Sequence, residues 1–550
     1  MEFTPHLNYF GQTDFRGKKM PFGIKSEDRS RHMYIIGKTG MGKSTLLENL
    51  AIQDIKNGEG MCFIDPHGSV VEKLLDFIPP ERVRDVIYLA PFDLDHPIAF
   101  NVMEDVGKDQ RHLVASGLMS TFEKIWVDAW SARMAYILNN TILALLEYPG
   151  STLLGVNRML ADKKFREKVV ANISDPAVKS FWVDEFAKYT ERFAAEATPA
   201  IQNKVGQFTS NPLIRNMIGQ SKSSFDFREV MDKKKILLIN LSKGRVGEQN
   251  ANLLGGMLIT KIYLAAMSRS NVPEAELRQL PPFYLYVDEF QSFANKTFEN
   301  ILSEARKYKL SLTIAHQYIE QMEEEVRNAV FGNVGTLISF RVGPFDAEVL
   351  EKVFFPTFTQ EDLVNLGFTQ IYLSLMIDGV GSPPFSATTL PPIVTTSPSQ
   401  RDKVIAYTHE HYAKPRALVE QTIVDWHQPE VVAVATPPKA PSAPSVAPKP
   451  PIAASPVVSK PAPTPAPKPV PPPAKTVSLK DLAPAKKTGT DQFKNDLKAA
   501  LAAVVKTIEP KPEVPKSNEA PTQGRGPDSR SDVGAKPEVP EDVLKKMLEV

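Results

Sequence analysis

The arrangement with the clearest chemical purpose is Gly37-Lys38-Thr39-Gly40-Met41-Gly42-Lys43-Ser44-Thr45, a G-x-x-x-x-G-K-S run. Backbone that curls through such glycines turns its N–H groups toward phosphate oxygens, and a helix amino terminus behind it adds partial positive charge. In that setting Lys43 reaches the β and γ phosphates of a nucleotide, and Ser44 holds Mg²⁺. The flanks agree with this reading. Met33-Tyr34-Ile35-Ile36 is a short, partly β-branched strand candidate, and Leu46 to Ile55 repeats apolar residues at helical spacing. The cofactors implied are ATP and Mg²⁺.

Binding is not hydrolysis, which needs a metal-side acid and a base. Phe283 to Val287 reads as a buried strand ending in Asp288-Glu289. An acid pair at such a strand end, set beside a P-loop, supplies a carboxylate for Mg²⁺ (Asp288, with Ser44) and a group that polarises the attacking water (Glu289). Ser311 to Ala315 reads as the next strand and ends in His316-Gln317, where the Gln317 amide could sense the γ phosphate. His67, in Asp65-Pro66-His67-Gly68, has no second histidine or cysteine at ligand spacing, so a turn-forming role is expected of it.

The elements that must position these groups follow from the apolar runs. Further strands are expected at Met61 to Ile64, Val86 to Leu89, Lys235 to Asn240, Thr336 to Phe340 and Gln370 to Met376. Their alternation with helical segments predicts an α/β fold with a mostly parallel sheet and helices on both faces. The stretch from Glu104 to Asp232 is helix-rich and explains why Lys43 and Asp288 are 245 positions apart.

Composition limits what else the chain can be. Lys and Arg number 65 against 64 Asp and Glu, so there is no chain-wide basic field for unspecific polyanion binding. Cys62 is the single cysteine, which excludes an intramolecular disulfide and any multi-cysteine metal site, and fits a reducing, cytoplasmic compartment. No apolar stretch is expected to reach the ~18–20 residues that cross a bilayer: Met134 to Leu146 is interrupted by an Asn pair, and Leu253 to Met267 by Lys261. The opening MEFTPHLNYF lacks the pattern of a signal peptide.

Of 47 prolines, 25 lie between Pro429 and Pro540, and 17 of those fall between Pro429 and Pro473. Ala, Lys, Val and Ser between them cannot bury enough apolar surface to offset ordering entropy, so a disordered, polyproline-biased linker is expected. From Pro429 on there are 18 basic and 13 acidic residues, against 47 and 51 before it. Phe493, Leu497, Leu501, Val504, Val505 and Ile508 would share one helical face, a candidate for docking on a partner.

At this point four runs resemble a known family: DRSRHMYIIGKTGMGKST (Asp28 to Thr45), FIDPHGSVVEKLL (Phe63 to Leu75), YLYVDEFQSFA (Tyr284 to Ala294) and ARKYKLSLTIAHQY (Ala305 to Tyr318). They look like the TraD-like coupling ATPases of type IV secretion, within the HerA/FtsK superfamily of RecA-like P-loop motors. The resemblance spans about Phe10 to Pro392, with the motifs in the family's order. It implies a ring-forming ATPase, a hexamer by the family's habit, that moves DNA through a central channel with ATP held between subunits. Lys43 and Ser44 match the family's P-loop pair, Asp288 and Glu289 its magnesium and water-activating acids, and Gln317 its γ-phosphate sensor. Arg306 matches an arginine finger that enters the neighbouring subunit's site; from its own context it could equally be a surface charge. Arg341 matches a recurrent arginine after a late strand. The resemblance also implies an inserted all-α domain facing the channel mouth.

The organisation expected is a β/loop lead-in (1–32), a RecA-like core in two parts (33–150 and 223–392) around an all-α insert (151–222), and a core extension (393–428). A Pro-rich linker (429–489), an amphipathic helix (490–509), a disordered segment (510–539) and a short helix (540–550) complete it. Trp126, Trp130 and Trp182 are expected in the core rather than stacking on bases. Family members usually carry amino-terminal membrane helices and none is read here, so either attachment to the membrane needs a partner subunit, with the tail as the candidate contact to a membrane or secretion-complex subunit, or the motor works free in the cytoplasm. DNA contacts on channel loops have Lys243 and Arg245 as candidates. Two other functions share the same engine: a nucleotide-dependent recruiter of protein cargo, and a HerA-like DNA-repair pump.

Overall fold

Strands buried on both faces dictate the architecture. In Met33–Ile36, Gly60–Asp65 and Phe283–Val287 every residue is buried, yet successive side chains enter different cores. Tyr34, Ile36, Cys62, Ile64, Leu285 and Val287 join one apolar cluster, and Met33, Ile35, Met61, Phe63, Tyr284 and Tyr286 join the other. This is the period-two alternation of a strand sandwiched between helical layers. The computed structural model describes residues 7–427 apart from 15–17 and 396. The linker, amphipathic helix, disordered segment and short helix expected from 429 to 550 lie outside the described residues.

The strands are β1 (Leu7–Gln12), β2 (Pro21–Lys25), β3 (Met33–Ile36), β4 (Gly60–Asp65), β5 (Val86–Leu89), β6 (Ile236–Asn240), β7 (Phe283–Val287), β8 (Leu310–His316), β9 (Thr336–Ser339), β10 (Gln370–Ser374), β11 (Met376–Ile377), β12 (Val380–Gly381) and β13 (Phe385–Thr389). Eleven form one sheet in the order β2-β1-β13-β10-β9-β3-β8-β7-β4-β6-β5, and β11-β12 is a separate ribbon. From β9 to β5 all pairings are parallel. The β10, β13, β1 and β2 pairings at the other edge are antiparallel. The sheet is thus mostly parallel, with β3 at the point where chain order reverses, the position at which open α/β sheets bind ligands.

Helix Lys43–Lys56 follows the P-loop and packs into the second cluster through Leu46, Leu47, Leu50, Ile52 and Ile55. Between β5 and β6 every regular element is helical. Val156, Ile201, Val205 and Phe208 of that stretch share one continuous core with Tyr34 and Ile64 of the sheet. Trp126 stacks on Phe122 at 4.6 Å, Trp182 donates its indole N–H to the Asn140 carbonyl at 3.3 Å, both are buried, and Trp130 is partly buried against them.

One expectation is corrected. The segment Glu248–Asn271, built on helix Glu248–Met267, is long and apolar enough to cross a membrane by length and composition. Lys261 does not interrupt it: the side chain is buried, and burial pushes its pKa down against the opposing pull of the Glu104 and Asp226 carboxylates. The helix lies inside the protein, with Phe293 so close to Gly255 that an added Cβ would sit 2.2 Å from its ring. Apolar composition here reflects a core helix, which passes the same length test as a spanning one.

Candidate nucleotide site

The carboxyl ends of β3, β8, β7 and β4 converge on one patch, because these strands are parallel neighbours. The P-loop, Gln317, the Asp288-Glu289 pair and Asp65 therefore meet, although they are scattered along nearly 300 residues of sequence.

Phe340, just past β9, shapes the loop. A Cβ at Gly37 would lie 2.5 Å from the Phe340 Cβ, and one at Gly42, where φ is +115, would lie 3.3 Å from the same ring. The loop is pinned by Gly37 N–H donating to the His316 carbonyl at 3.2 Å and Lys38 N–H to the Arg341 carbonyl at 2.8 Å. Lys43 is buried and donates from Nζ to the carbonyls of Gly37 at 2.6 Å and Lys38 at 3.2 Å. Burial pushes its pKa down, and Glu289 and Asp288 push back.

Asp288 is buried; its Oδ2 accepts from Ser44 Oγ at 3.2 Å and its Oδ1 from the Glu289 N–H at 2.9 Å. Burial first, then the carboxylates of Glu289 and Asp65, push its pKa up to about 6. A carboxyl held this far from its ordinary range, next to a hydroxyl, is a donor set suited to a hard divalent cation. Ser44 and Asp288 are thus the residues that could hold Mg²⁺.

Glu289 adopts a left-handed backbone, φ +48, a conformation uncommon outside glycine and concentrated at functional sites. Two amides fix its carboxylate: Gln317 Nε2 donates to Oε1 and Gln291 Nε2 to Oε2. Gln317 Oε1 in turn accepts from Thr39 Oγ1 at 3.0 Å. Gln317 therefore connects the P-loop to the acid pair. Behind it, buried His316 bonds through Nδ1 with Tyr34 Oη at 3.0 Å. Burial, with Lys43 and Lys124 nearby, pushes the His316 pKa down to about 3, so it is the neutral imidazole that sits there.

Three contributions escaped sequence reasoning. Asp65 accepts the N–H groups of His67, Val70 and Val71 at 2.8, 2.8 and 3.2 Å, which fixes the turn after β4. His67 forms that turn as expected, but its exposed ring also comes within 4.0 Å of Glu289 Oε1. Gln291 is the third; the Asp-Glu-x-Gln spacing was its only signal.

Arg306 does not join this group. It is exposed, in the 3₁₀ turn Ala305–Tyr308 that precedes β8. Near it lies His32, before β3, whose pKa is pushed down to about 4 by burial and further by Arg306. β8 has seven residues, so at roughly 3.3 Å per residue the arginine stands about 20 Å from Gln317, at the opposite end of the sheet. Lys243 and Arg245 follow β6; Lys243 donates to Ser292 Oγ at 2.9 Å, and Arg245 covers the Phe92 ring at 3.4 Å.

The family model for the type IV secretion-system coupling protein DNA-binding domain matches residues 17–352. The chain belongs to this family. Solved structures of coupling proteins share its fold. The bacterial conjugative coupling protein TrwBdeltaN70, in an unbound form, is 14% identical with a TM-score of 0.50, over 73% of this chain and 91% of that one. Plasmid coupling protein TrwB in complex with ADP and Mg²⁺ is 16% identical with a TM-score of 0.50, over 73% and 92%. No curated protein sequence matches the chain.

Proposed function

We propose that this coupling protein is an ATP-driven motor that moves DNA for a type IV secretion or conjugation system. The observation that carries the reading is the meeting of Ser44 with Asp288 at 3.2 Å, across 244 positions of sequence, beside a P-loop lysine and a clamped second acid. Membership in the coupling-protein family supplies DNA as the substrate class, and TrwB's complex with ADP and Mg²⁺ supports the same cofactors here.

Each side chain then has a task. The Gly37–Thr45 backbone cradles phosphates at the amino terminus of Lys43–Lys56. Lys43 exchanges its carbonyl partners for phosphate oxygens. Ser44 and Asp288 would hold Mg²⁺, which would supply charge neutralisation on the phosphates when bound. Glu289, held by two amides, accepts a proton from an attacking water. Gln317 touches both the P-loop and Glu289, so its position depends on whether a γ phosphate is present. Arg306 cannot serve its own site; in a ring it would serve the neighbour's, as the charge-neutralising finger. The segment from Pro429 on is proposed to contact a membrane or secretion-complex subunit, keeping the motor at the inner face of the membrane.

The test is ATP turnover by the full chain with and without single- and double-stranded DNA. Lys43→Ala and Glu289→Gln should both lose turnover by about 100-fold or more, with Glu289→Gln still binding nucleotide. Normal hydrolysis by Glu289→Gln would remove it as the base. Stimulation by protein cargo and not by DNA would replace the translocase reading with that of a recruiter.

A further inference from the structure

A chain of direct contacts joins the turn after β6 to the acid proposed as the base, which lies on the turn after β7. Lys243 Nζ donates to Ser292 Oγ at 2.9 Å and lies 3.4 Å from Glu248 Oε1. Ser292 closes the 3₁₀ turn Phe290–Ser292, and its N–H donates to the Glu289 carbonyl at 2.9 Å. Gln291, between the two, gives its side-chain N–H to Glu289 Oε2. One ammonium therefore holds the residue next to the amide that clamps Glu289.

The tie is poised to open. Both Glu289 oxygens accept from amides, Oε1 from Gln317 and Oε2 from Gln291, and hydrogen bonds to a carboxylate stabilise its charge and weaken it as a base. Gln291 Oε1 is buried with no hydrogen-bond partner among the described residues, so the clamping position leaves a polar atom unsatisfied. Glu289 itself has φ +48, a strained backbone that persists only where its surroundings hold it. The backbone on the β6 side is fixed by contrast: Leu241 N–H donates to the Asp65 carbonyl at 2.9 Å and Lys243 N–H to the Pro66 carbonyl at 2.8 Å. What can move is the Lys243 side chain and the Phe290–Ser292 turn.

The Lys243 ammonium is within reach of a polyanion. Two cavities of about 350 and 480 Å³ share Glu248 and Gln249 in their walls, with Lys124 and Ser292 lining the first and Lys204 the second. A Cβ at Gly244, next to Lys243, would meet nothing within 4 Å, so the turn is open on that side. Against these cations stand Glu248, beside Lys243, and Glu323, 3.9 Å from Lys124. A phosphate diester is a charged, strong acceptor and displaces a neutral hydroxyl from an ammonium. Building on the motor reading above, we propose that Lys243 is a positioning residue for hydrolysis: a phosphate of the DNA strand draws its ammonium off Ser292, the Phe290–Ser292 turn shifts, and Gln291 lets go of Glu289. Gln317 keeps hold of Oε1, and the freed Oε2 takes the proton of the attacking water. The tie makes DNA the trigger of turnover.

The test is steady-state ATP turnover by the full chain, with and without a thymidine homopolymer, in the wild type, Ser292→Ala, Ser292→Thr, Lys243→Ala and Lys243→Arg. Ser292→Ala loses the acceptor and keeps the cation. Its DNA-free kcat should rise by about two- to tenfold, the range set by one hydrogen bond, with KM for ATP unchanged, and DNA should add little more. Ser292→Thr restores the hydroxyl and should return to wild-type rates. Lys243→Ala should show the same rise and also bind the strand more weakly, with a log–log salt slope shallower by about 0.7; Lys243→Arg, able to make both contacts, should keep the stimulation. A merely structural Lys243–Ser292 pair would lower the DNA-free rate when broken, not raise it. A DNA-free rate that rises in neither Ser292→Ala nor Lys243→Ala would overturn the tie. Wild-type turnover indifferent to DNA would instead overturn the motor reading, and with it DNA as the trigger; the variants' DNA-free rates, read with no strand present, keep the two failures apart.

Discussion

Asp288 combines function with a cost in stability, and the cost can be measured. Its pKa is pushed up to about 6 by burial and by Glu289 and Asp65, against about 3.9 in an unfolded chain. Two units at ~1.4 kcal/mol each mean that holding Asp288 ionised costs the metal-free protein on the order of 3 kcal/mol at pH 7.5. The sign follows from linkage: with the folded pKa above the unfolded one, the group favours folding most below about pH 4, and that advantage is lost as pH rises to about 6. Asp288→Asn keeps the shape, retains an acceptor for the Glu289 N–H and can donate to Ser44 Oγ. In EDTA at pH 7.5, urea unfolding followed by tryptophan fluorescence should show the variant more stable than the wild type by about 1–3 kcal/mol. At pH 5 the gain should fall to about half. Saturating Mg²⁺ with nucleotide should stabilise the wild type and not the variant, narrowing or reversing the order. A variant less stable than the wild type in EDTA at pH 7.5, or a gain that does not shrink between pH 7.5 and 5, would refute the argument that like charges and burial raise this carboxyl.

Two further outcomes are expected. Mixing Arg306→Ala with Lys43→Ala subunits should restore part of the ATP turnover that each lacks alone, since each supplies what the other is missing across an interface; no recovery in steady-state assays would place Arg306 outside the reaction. Asp54→Asn should destabilise the protein by about 3–5 kcal/mol in thermal or urea unfolding. The reason is that the Arg29 guanidinium, 1% exposed, is held by both Asp54 oxygens at 2.6 and 2.9 Å and would be left a buried cation with one charged partner gone; a loss under 1 kcal/mol would show the pair to be dispensable.

The parallel half of the sheet was legible because burial on both faces leaves unbroken apolar runs. Met33–Ile36, Val86–Leu89 and Phe283–Val287 have the boundaries read from sequence. Of the antiparallel edge Gln370–Ser374 was legible and the rest was not, since Pro21–Lys25 alternates half-buried and buried residues around Gly23, and Phe385–Thr389 is mostly Ser and Thr. Such strands look like loops until a neighbour pairs with them. At the site, the motif residues were visible because each ends a strand. Asp65 stands within the family-like run Phe63 to Leu75, but its three backbone contacts depend on a turn whose geometry composition does not encode. Helix Glu248–Met267 looks divided at Lys261 because a lysine amid apolar residues reads as an interruption, whereas the fold buries it there, with the Glu104 and Asp226 carboxylates only partly opposing the effect of burial.

β8 runs from the Arg306 turn to Gln317. All seven of its residues are buried, and it is hydrogen-bonded on both flanks, by β3 and β7. A rod so confined can neither bow nor slide on its own without breaking both ladders. One tip adjoins Gln317, proposed above as the γ-phosphate sensor, and the other adjoins the turn that displays the Arg306 guanidinium to the outside. Communication from one catalytic pocket to the next around a ring would therefore need no long relay, only a small rigid-body shift of this segment together with the strands bonded to it.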